Sequence, residues 1–485
     1  MAKRVRNYRF EMPYQVDAPS LTDPQAGIDR VRMRAPHDRN ARTLTLLDTT
    51  DERLSWAGVL LAHQVIGETG DWLLRAPDWQ PWLPAERLES LDDAEALPED
   101  LARLLLPFRR RAPIRPIADI RVDRTVYQLL DPDGVELGQL LDDRIAVRRG
   151  GLVIARHREV TFEAGAASTA PQRTLVVDRL QLAGGVRVTG FPELIDRLIS
   201  LTHPVVVTAK PASGADPEDF LGWLFTGRML GLLRADLQVR KGDVADTALL
   251  AAELADVVEL VRGLTVLVDP IWANELSWHV GRVVAQSPCR HPEDLGESYF
   301  DALDALATAA RSPRLRPDLP DSGPADGRAP ATARQLLRNE AALRLAEVIT
   351  SMDALTADAT EAEWTHALAA AEQVLRVVNA GEPVLGKFAA RRRRLVGLLG
   401  AIAQTANPVP EPHPDVVAAL SPALAYQAGR DYQRGQDETR EPRRRLLDEW
   451  PRTKGKLLDE WPEAVAYLPD PKALTAGRVK DDDDD

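Results

Sequence analysis

Residues 44–77, LTLLDTTDERLSWAGVLLAHQVIGETGDWLLRAP, constrain the fold more than any other stretch of the chain. Asp48-Thr49, Asp51, Leu54 and Gly58 make a polar turn that leads directly into an apolar strand, and a second strand follows and ends in Arg75. The segment therefore reads as a pair of strands entered through a polar turn.

Other segments extend this pattern. VRNYRFEMP near the N-terminus reads as a strand carrying Arg9. Residues 101–147 hold an arginine-bearing strand with Arg121 and Arg124, the hairpin Asp131-Pro132-Asp133-Gly134, and a strand with Asp142 and Asp143. REVTFE follows with Arg158, Glu159, Thr161 and Glu163. Together with the Asp48-Thr49 turn, these motifs, in this order, resemble the CYTH (triphosphate tunnel) family. The resemblance implies an N-terminal antiparallel β tunnel or barrel over residues 1–208. In that family the first strand carries two glutamates for a divalent metal and a lysine for phosphate. The matching positions here are Val5, Asn7 and Arg9, and Ala62, His63 and Gln64 stand where the family places arginines. The resemblance assigns Arg9, Arg75, Arg121, Arg124 and Arg158 to phosphate, and Glu159 and Glu163 to Mg or Mn.

Strand geometry sorts these residues. Side chains alternate between faces, so Glu159 and Glu163, four apart, share one face. Arg121 and Arg124, three apart, point to opposite faces unless a bulge intervenes. A triphosphate carries about four negative charges, and each charge-assisted contact contributes about 1.5–3 kcal/mol. Losing two such contacts weakens binding by about two to four orders of magnitude.

Further along, RTLVVDRLQLAGGV alternates like strands with Gly184-Gly185 as a turn, and FPELIDRLISL is a short amphipathic segment. Proline, glycine and serine around 205–217 mark a boundary, after which apolar residues recur at helical three-and-four spacing. Asp236, Val239, Arg240, Gly242 and Asp243, followed by a long helix, resemble the opening of a CHAD domain, a helical module that often follows CYTH. The resemblance implies a polyphosphate-facing basic surface, with Arg240, Lys241 and, in a second helical half, Arg376 as its candidates. At the family's histidine and arginine positions this chain has Thr247, Leu250, Leu254 and Ala255. Leucines there imply either packing within the bundle or an apolar patch for a partner. The former is the expectation.

The implied architecture is α+β: the CYTH-like barrel, CHAD-like helical halves at 216–310 and 334–430, a disordered linker at 311–333, and an irregular tail at 431–485. Arg391–Arg394, preceded by Lys387, point around most of a helix and read as solvated charge. LLDEWP occurs at 446–451 and 457–462. Eleven residues make about three helical turns, so Trp450 and Trp461 would share a face, but Pro451 and Gly455 argue for two short helical pieces.

Composition narrows the function. A net charge of −13 disfavours nucleic acid as a partner. The terminal Asp481–Asp485 run reads as solvated, or else as a mimic folded over a basic groove. No apolar run is long enough to span a bilayer and no signal peptide is evident, so the chain is expected in the cytoplasm without a membrane. The lone Cys289 excludes an internal disulfide, and the histidines show no metal-ligand spacing. The expectation is a non-catalytic CYTH–CHAD protein acting through protein–protein or weak phosphate-polymer contacts. Two alternatives stand beside it: a Mg- or Mn-dependent inorganic triphosphatase with a rebuilt site, and a polyphosphate-binding module without hydrolysis.

Overall fold

The computed structural model describes residues 6–35, 41–66, 69–90, 97–199, 210–212, 214–319, 331–385, 389–405 and 413–469. The acidic run Asp481–Asp485, Lys387, the side chains of Arg391–Arg393 and linker residues 320–330 lie outside this description. The chain forms two compact units, one within 1–206 plus 233–245 and the other within 207–232 plus 246–485.

The first unit is built on strands β1 (Arg6–Glu11), β2 (Arg30–Met33), β3 (Ala41–Asp48), β4 (Leu60–Ile66), β5 (Thr69–Arg75), β6 (Glu86–Ser90), β7 (Arg115–Leu130), β8 (Glu136–Arg149), β9 (Leu152–Ala164) and β10 (Val186–Val188). They pair antiparallel in the order β10-β1-β9-β8-β7-β3-β4-β5-β6, with β2 alongside β7. Helices α1 (Arg53–Trp56), α2 (Glu99–Arg109), α3 (Ala170–Leu182) and α4 (Leu194–Ile199) complete it.

The Asp48 turn shows why this part of the sequence is so legible. Asp48 is fully buried, and its carboxylate accepts the backbone N–H groups of Thr49 (2.6 Å), Leu54 (2.9 Å) and Ser55 (2.8 Å). Thr49 Oγ1 donates to Asp51 (2.8 Å) and accepts from Arg53 N–H (3.0 Å). The carboxylate thus satisfies donors that the first turn of a helix leaves without partners. Gly58 closes the turn at φ +72°, where a side chain would be strained.

Alternation divides the sheet into two faces. Phe10, Leu129, Leu140, Val160 and Phe162 lie on one, packed with Val176 and Leu180 of α3. Leu44, Ala62, Leu73, Ile120 and Ile145 lie on the other, packed with Ile195 of α4. Residues 170–182, which alternate like a strand, are helical instead. Thr169 and Gln172 form a reciprocal cap that starts the helix, and every fourth apolar residue meets the sheet.

The second unit is helical: α5 (Pro217–Lys241), α6 (Ala248–Gly263), α7 (Pro270–Gln286), α8 (Gly296–Arg311), α9 (Ala333–Ala354), α10 (Glu361–Leu385), α11 (Ala389–Thr405), α12 (Pro414–Ala419) and α13 (Pro422–Glu460). The end of α5 groups with the sheet unit rather than the helices, because Arg234 stacks over Trp79 and Trp82 and Lys241 donates to the Pro81 carbonyl (2.9 Å). Within the helical unit α10 packs on α9, α11 and α6, which joins the two halves. Gly263 makes the α6–α10 crossing possible, since a Cβ there would collide with the Arg376 carbonyl.

Two expectations for this unit fail. Parts of the 311–333 linker are ordered: Leu315 bridges to Val268, and Thr332 caps α9. Residues 431–460, expected as irregular, continue α13 through Pro442 and Pro451 as one helix of 39 residues. Anchoring overrides the local cost of the prolines. Leu446, Trp450, Leu457 and Trp461 are buried, and Asp353 accepts from Trp450 Nε1 (2.8 Å) and Lys454 (2.6 Å). Both tryptophans of the repeat are therefore inside.

Candidate functional site

The face of the sheet that carries α4 gathers five of the sequence-derived candidates. Cross-strand register places Arg124 opposite Asp143, Asp143 opposite Glu159, Gln139 opposite Glu163, and Arg9 opposite Thr161. Arg75 shares the face through β5, two residues from buried Leu73. The other sheet candidates point away. No register shift lies between Arg121 and Arg124 on β7, so Arg121 stands on the reverse face, exposed and paired with Asp123 (3.1 Å). Arg158 is buried on that reverse face with both Asp142 oxygens (2.8 and 2.7 Å), and it also donates to the Val16 carbonyl.

Helix α4 sits against the gathered residues. In a flat sheet β5 and β9 are five strand spacings apart, about 24 Å. Yet the consecutive residues Asp196 and Arg197 meet Arg75 on β5 (3.1 Å) and Glu159 on β9. The sheet curls around the helix. Glu193 adds a second carboxylate to Arg75 (3.4 Å), and Ile195 enters the apolar cluster.

Each gathered charge has a partner within this unit. Arg124 makes a two-pronged pair with Asp143 (2.6 Å for both contacts), which holds its guanidinium strongly protonated. Glu163 accepts from Gln139 (2.5 Å), and Arg9 donates to the Thr189 carbonyl (2.8 Å). Burial pushes the Glu159 carboxyl up from its ordinary range, against the pull of Arg197, and Asp143 and Glu11 push the same way. His157, on the same face, is held below the usual imidazole range by burial and by Arg197. Ala62 and Gln64 also point to this face, while His63 turns away and stacks on Trp72.

The donor set does not fit a divalent metal. Glu159 is held by Arg197, Asp143 opposite it by Arg124 and Glu163 by an amide, and of the three β1 residues on this face Arg9 and Asn7 are not carboxylates, which leaves only Glu11 opposite Glu159. Among the described residues no group of three His, Cys, Asp or Glu side chains is disposed to hold one.

Sequence reasoning missed a row on the same face. Arg30, Arg32 and Arg34 alternate along the strand that flanks β7, and Arg42 follows at the start of β3. Arg32 donates to Gln128 (2.8 Å) and Arg30 pairs with Asp29 (3.2 Å), while Arg34 and Arg42 make no ion pair among the described residues. The period-two arginine pattern in RVRMR is the signal that reveals this row.

The remaining candidates sit on helices. Arg240 is buried against Asp236 four residues earlier, and Lys241 also pairs with Asp243 (3.5 Å). Arg376 on α10 is held by Glu259 (2.8 Å) and Glu372 (3.1 Å). Leu250 and Leu254 are fully buried, as expected for packing within the bundle.

No family model matches the chain. It is 24% identical over 359 residues to two uncharacterized proteins of Mycobacterium tuberculosis, one from strain CDC 1551 and one from strain H37Rv. The match covers 69% of this chain and 66% of each relative, so the chain spans just under two thirds of the length of the curated relatives it matches. Among solved structures it is similar to a provisionally assigned adenylate cyclase of Bacillus halodurans, at 15% identity and a TM-score of 0.19, over 35% of this chain and 96% of that one. A provisionally assigned adenylyl cyclase of Hippeastrum, described as having a dominant triphosphatase activity, matches at 13% identity and a TM-score of 0.20, over 41% and 97% of the two chains. A provisionally assigned cyclase of Vibrio parahaemolyticus gives 14% identity and a TM-score of 0.17, over 40% and 97%.

Proposed function

We propose that this chain is a non-catalytic protein built on a triphosphate-tunnel-like sheet and a CHAD-like helical part, working through protein–protein or weak phosphate-polymer contacts. One observation carries the reading: Glu193 and Asp196 supply carboxylates to Arg75 and Arg197 a guanidinium to Glu159, so residues expected to serve a triphosphate are already engaged from within. A ligand with about four negative charges would have to displace these partners before the arginines could act on it, and hydrolysis further needs a metal cage that the donor set does not supply. The test is turnover of tripolyphosphate and of a nucleoside triphosphate by the purified chain with Mg²⁺ or Mn²⁺. The expected result is no release of phosphate above buffer. Turnover at an ordinary enzymatic rate that is lost in Glu163→Ala, with the fold intact, would overturn the proposal in favour of a rebuilt triphosphatase.

A second reading, anion binding without hydrolysis, is favoured by Arg34 and Arg42, which carry no counter-charge among the described residues. Retention of the chain on immobilised polyphosphate that falls steeply with salt supports it, and absence of retention at low salt removes it.

A further inference from the structure

We propose that the tip of the β8–β9 hairpin docks the protein on the surface of an anionic phospholipid bilayer. The hairpin turns at Gly150-Gly151, both at positive φ, and the next three residues, Leu152, Val153 and Ile154, are exposed by 73%, 40% and 48%. On a strand, neighbouring side chains point to opposite sides. Three consecutive exposed apolar residues therefore mean that the tip projects beyond the cover of either face. A register shift at Val147/Arg148 leaves Ile154 without a cross-strand partner, so it too is free to face outward.

The charge around the tip names the occupant. Arg144, Arg148 and Arg156 lie on the reverse face of the same two strands, the face away from α4. Arg144 and Arg156 are exposed and lie with their guanidinium carbons 5.8 and 5.7 Å from the Tyr14 ring, which holds both arms in place. The acidic residues on the adjoining part of β7 are Asp119, opposite Arg148, and Asp123, opposite Arg144 and engaged by Arg121, against the four arginines Arg121, Arg144, Arg148 and Arg156. The patch stays basic in a chain whose net charge is −13. A projecting apolar tip backed by guanidinium groups along one face of its two strands is complementary to a surface with negative headgroups above an acyl layer. Such docking needs no spanning segment. Among the described residues no helix is long and apolar enough to cross a membrane, and an interfacial hairpin is consistent with that.

The experiment is co-sedimentation of the full chain with vesicles of phosphatidylcholine alone and of phosphatidylcholine mixed with phosphatidylserine. The expected result is partition onto the mixed vesicles only, weakened by added salt. The double variant Leu152→Asp with Ile154→Asp should lower that partition at least ten-fold. Arg144→Ala and Arg156→Ala should each lower it about five-fold. Leu182→Asp, at an 84% exposed position on α3 outside the hairpin, should leave it unchanged. The altered positions are exposed, and an unchanged thermal midpoint confirms that each variant is folded. Equal partition onto neutral vesicles, no partition at all, or full partition by the folded tip variants overturns the proposal. So does binding to soluble acidic protein with none to vesicles.

Discussion

The two units use the sequence-derived positions in opposite ways. On the sheet, Arg9, Arg75 and Arg124 are charged, and each meets a partner from the α4 segment or a neighbouring segment. In the helices Leu250 and Leu254 are apolar and belong to the core. Pairing at a surface contributes little to stability and is reversed by one or two substitutions, whereas burial makes the residue part of what holds the unit together. The charges on the sheet face are thus open to rearrangement, while Leu250 and Leu254 are fixed by the core they fill.

The largest effect that sharpens this contrast is expected from Leu254→Arg. Placing an unpaired guanidinium in a filled core should cost about 4 kcal/mol or more, read as loss of helical signal at far lower denaturant. A folded variant of unchanged stability would mean that the α6 position is not core. Next comes Asp48→Ala, which leaves three buried N–H donors without an acceptor and should cost about 3 kcal/mol in chemical unfolding. A loss below about 1 kcal/mol would break the claim that this turn is kept for folding.

Smaller effects are expected on the charged face. Glu193 and Asp196 are 72% and 47% exposed, so changing both to Ala should alter stability by less than about 1 kcal/mol. The same double variant should gain affinity for tripolyphosphate, measured by calorimetry, because it frees Arg75. No gain would mean that α4 blocks the face by shape rather than by charge. The smallest effect is a pH dependence. Burial raises the folded-state pKa of Glu159, so its contribution to stability is fully present below the ordinary carboxylate value near 4.5 and is lost as pH rises through the folded value. Unfolding free energies of the parent and of Glu159→Gln, followed from acid to neutral pH, should therefore differ in slope just above that value. Arg197→Ala should move the titration of Glu159 higher still.

The legible parts of the sequence are those where one residue type has one physical use. Asp48, Gly58 and the period-two alternation of β7 to β9 read directly as a capped turn and a paired sheet, because only those backbone arrangements satisfy them. Arg121 and Arg124 separate by parity alone. Residues 170–182 and 431–460 misled for a shared reason: their local patterns favour strand and broken helix, and contacts distant in sequence decide otherwise. No sequence spacing reveals that Arg197 meets Glu159 or that Glu193 and Asp196 meet Arg75, since these pairs form only when the sheet curls. The arginines of β2 were readable and were passed over because they fall outside the family motifs.

The first LLDEWP copy lies within α13, and the second runs over the helix's last residue, Glu460, to end at Trp461 and Pro462. Eleven residues advance the chain by about 1,100°, only about 20° past three full turns, and by about 16.5 Å along the axis. Trp450 and Trp461 therefore present nearly the same azimuth to the bundle. An insertion or excision of one eleven-residue module would slide everything beyond it along the axis with almost no rotation. On regular helix geometry, an anchoring side chain beyond such a step would keep nearly its former bearing.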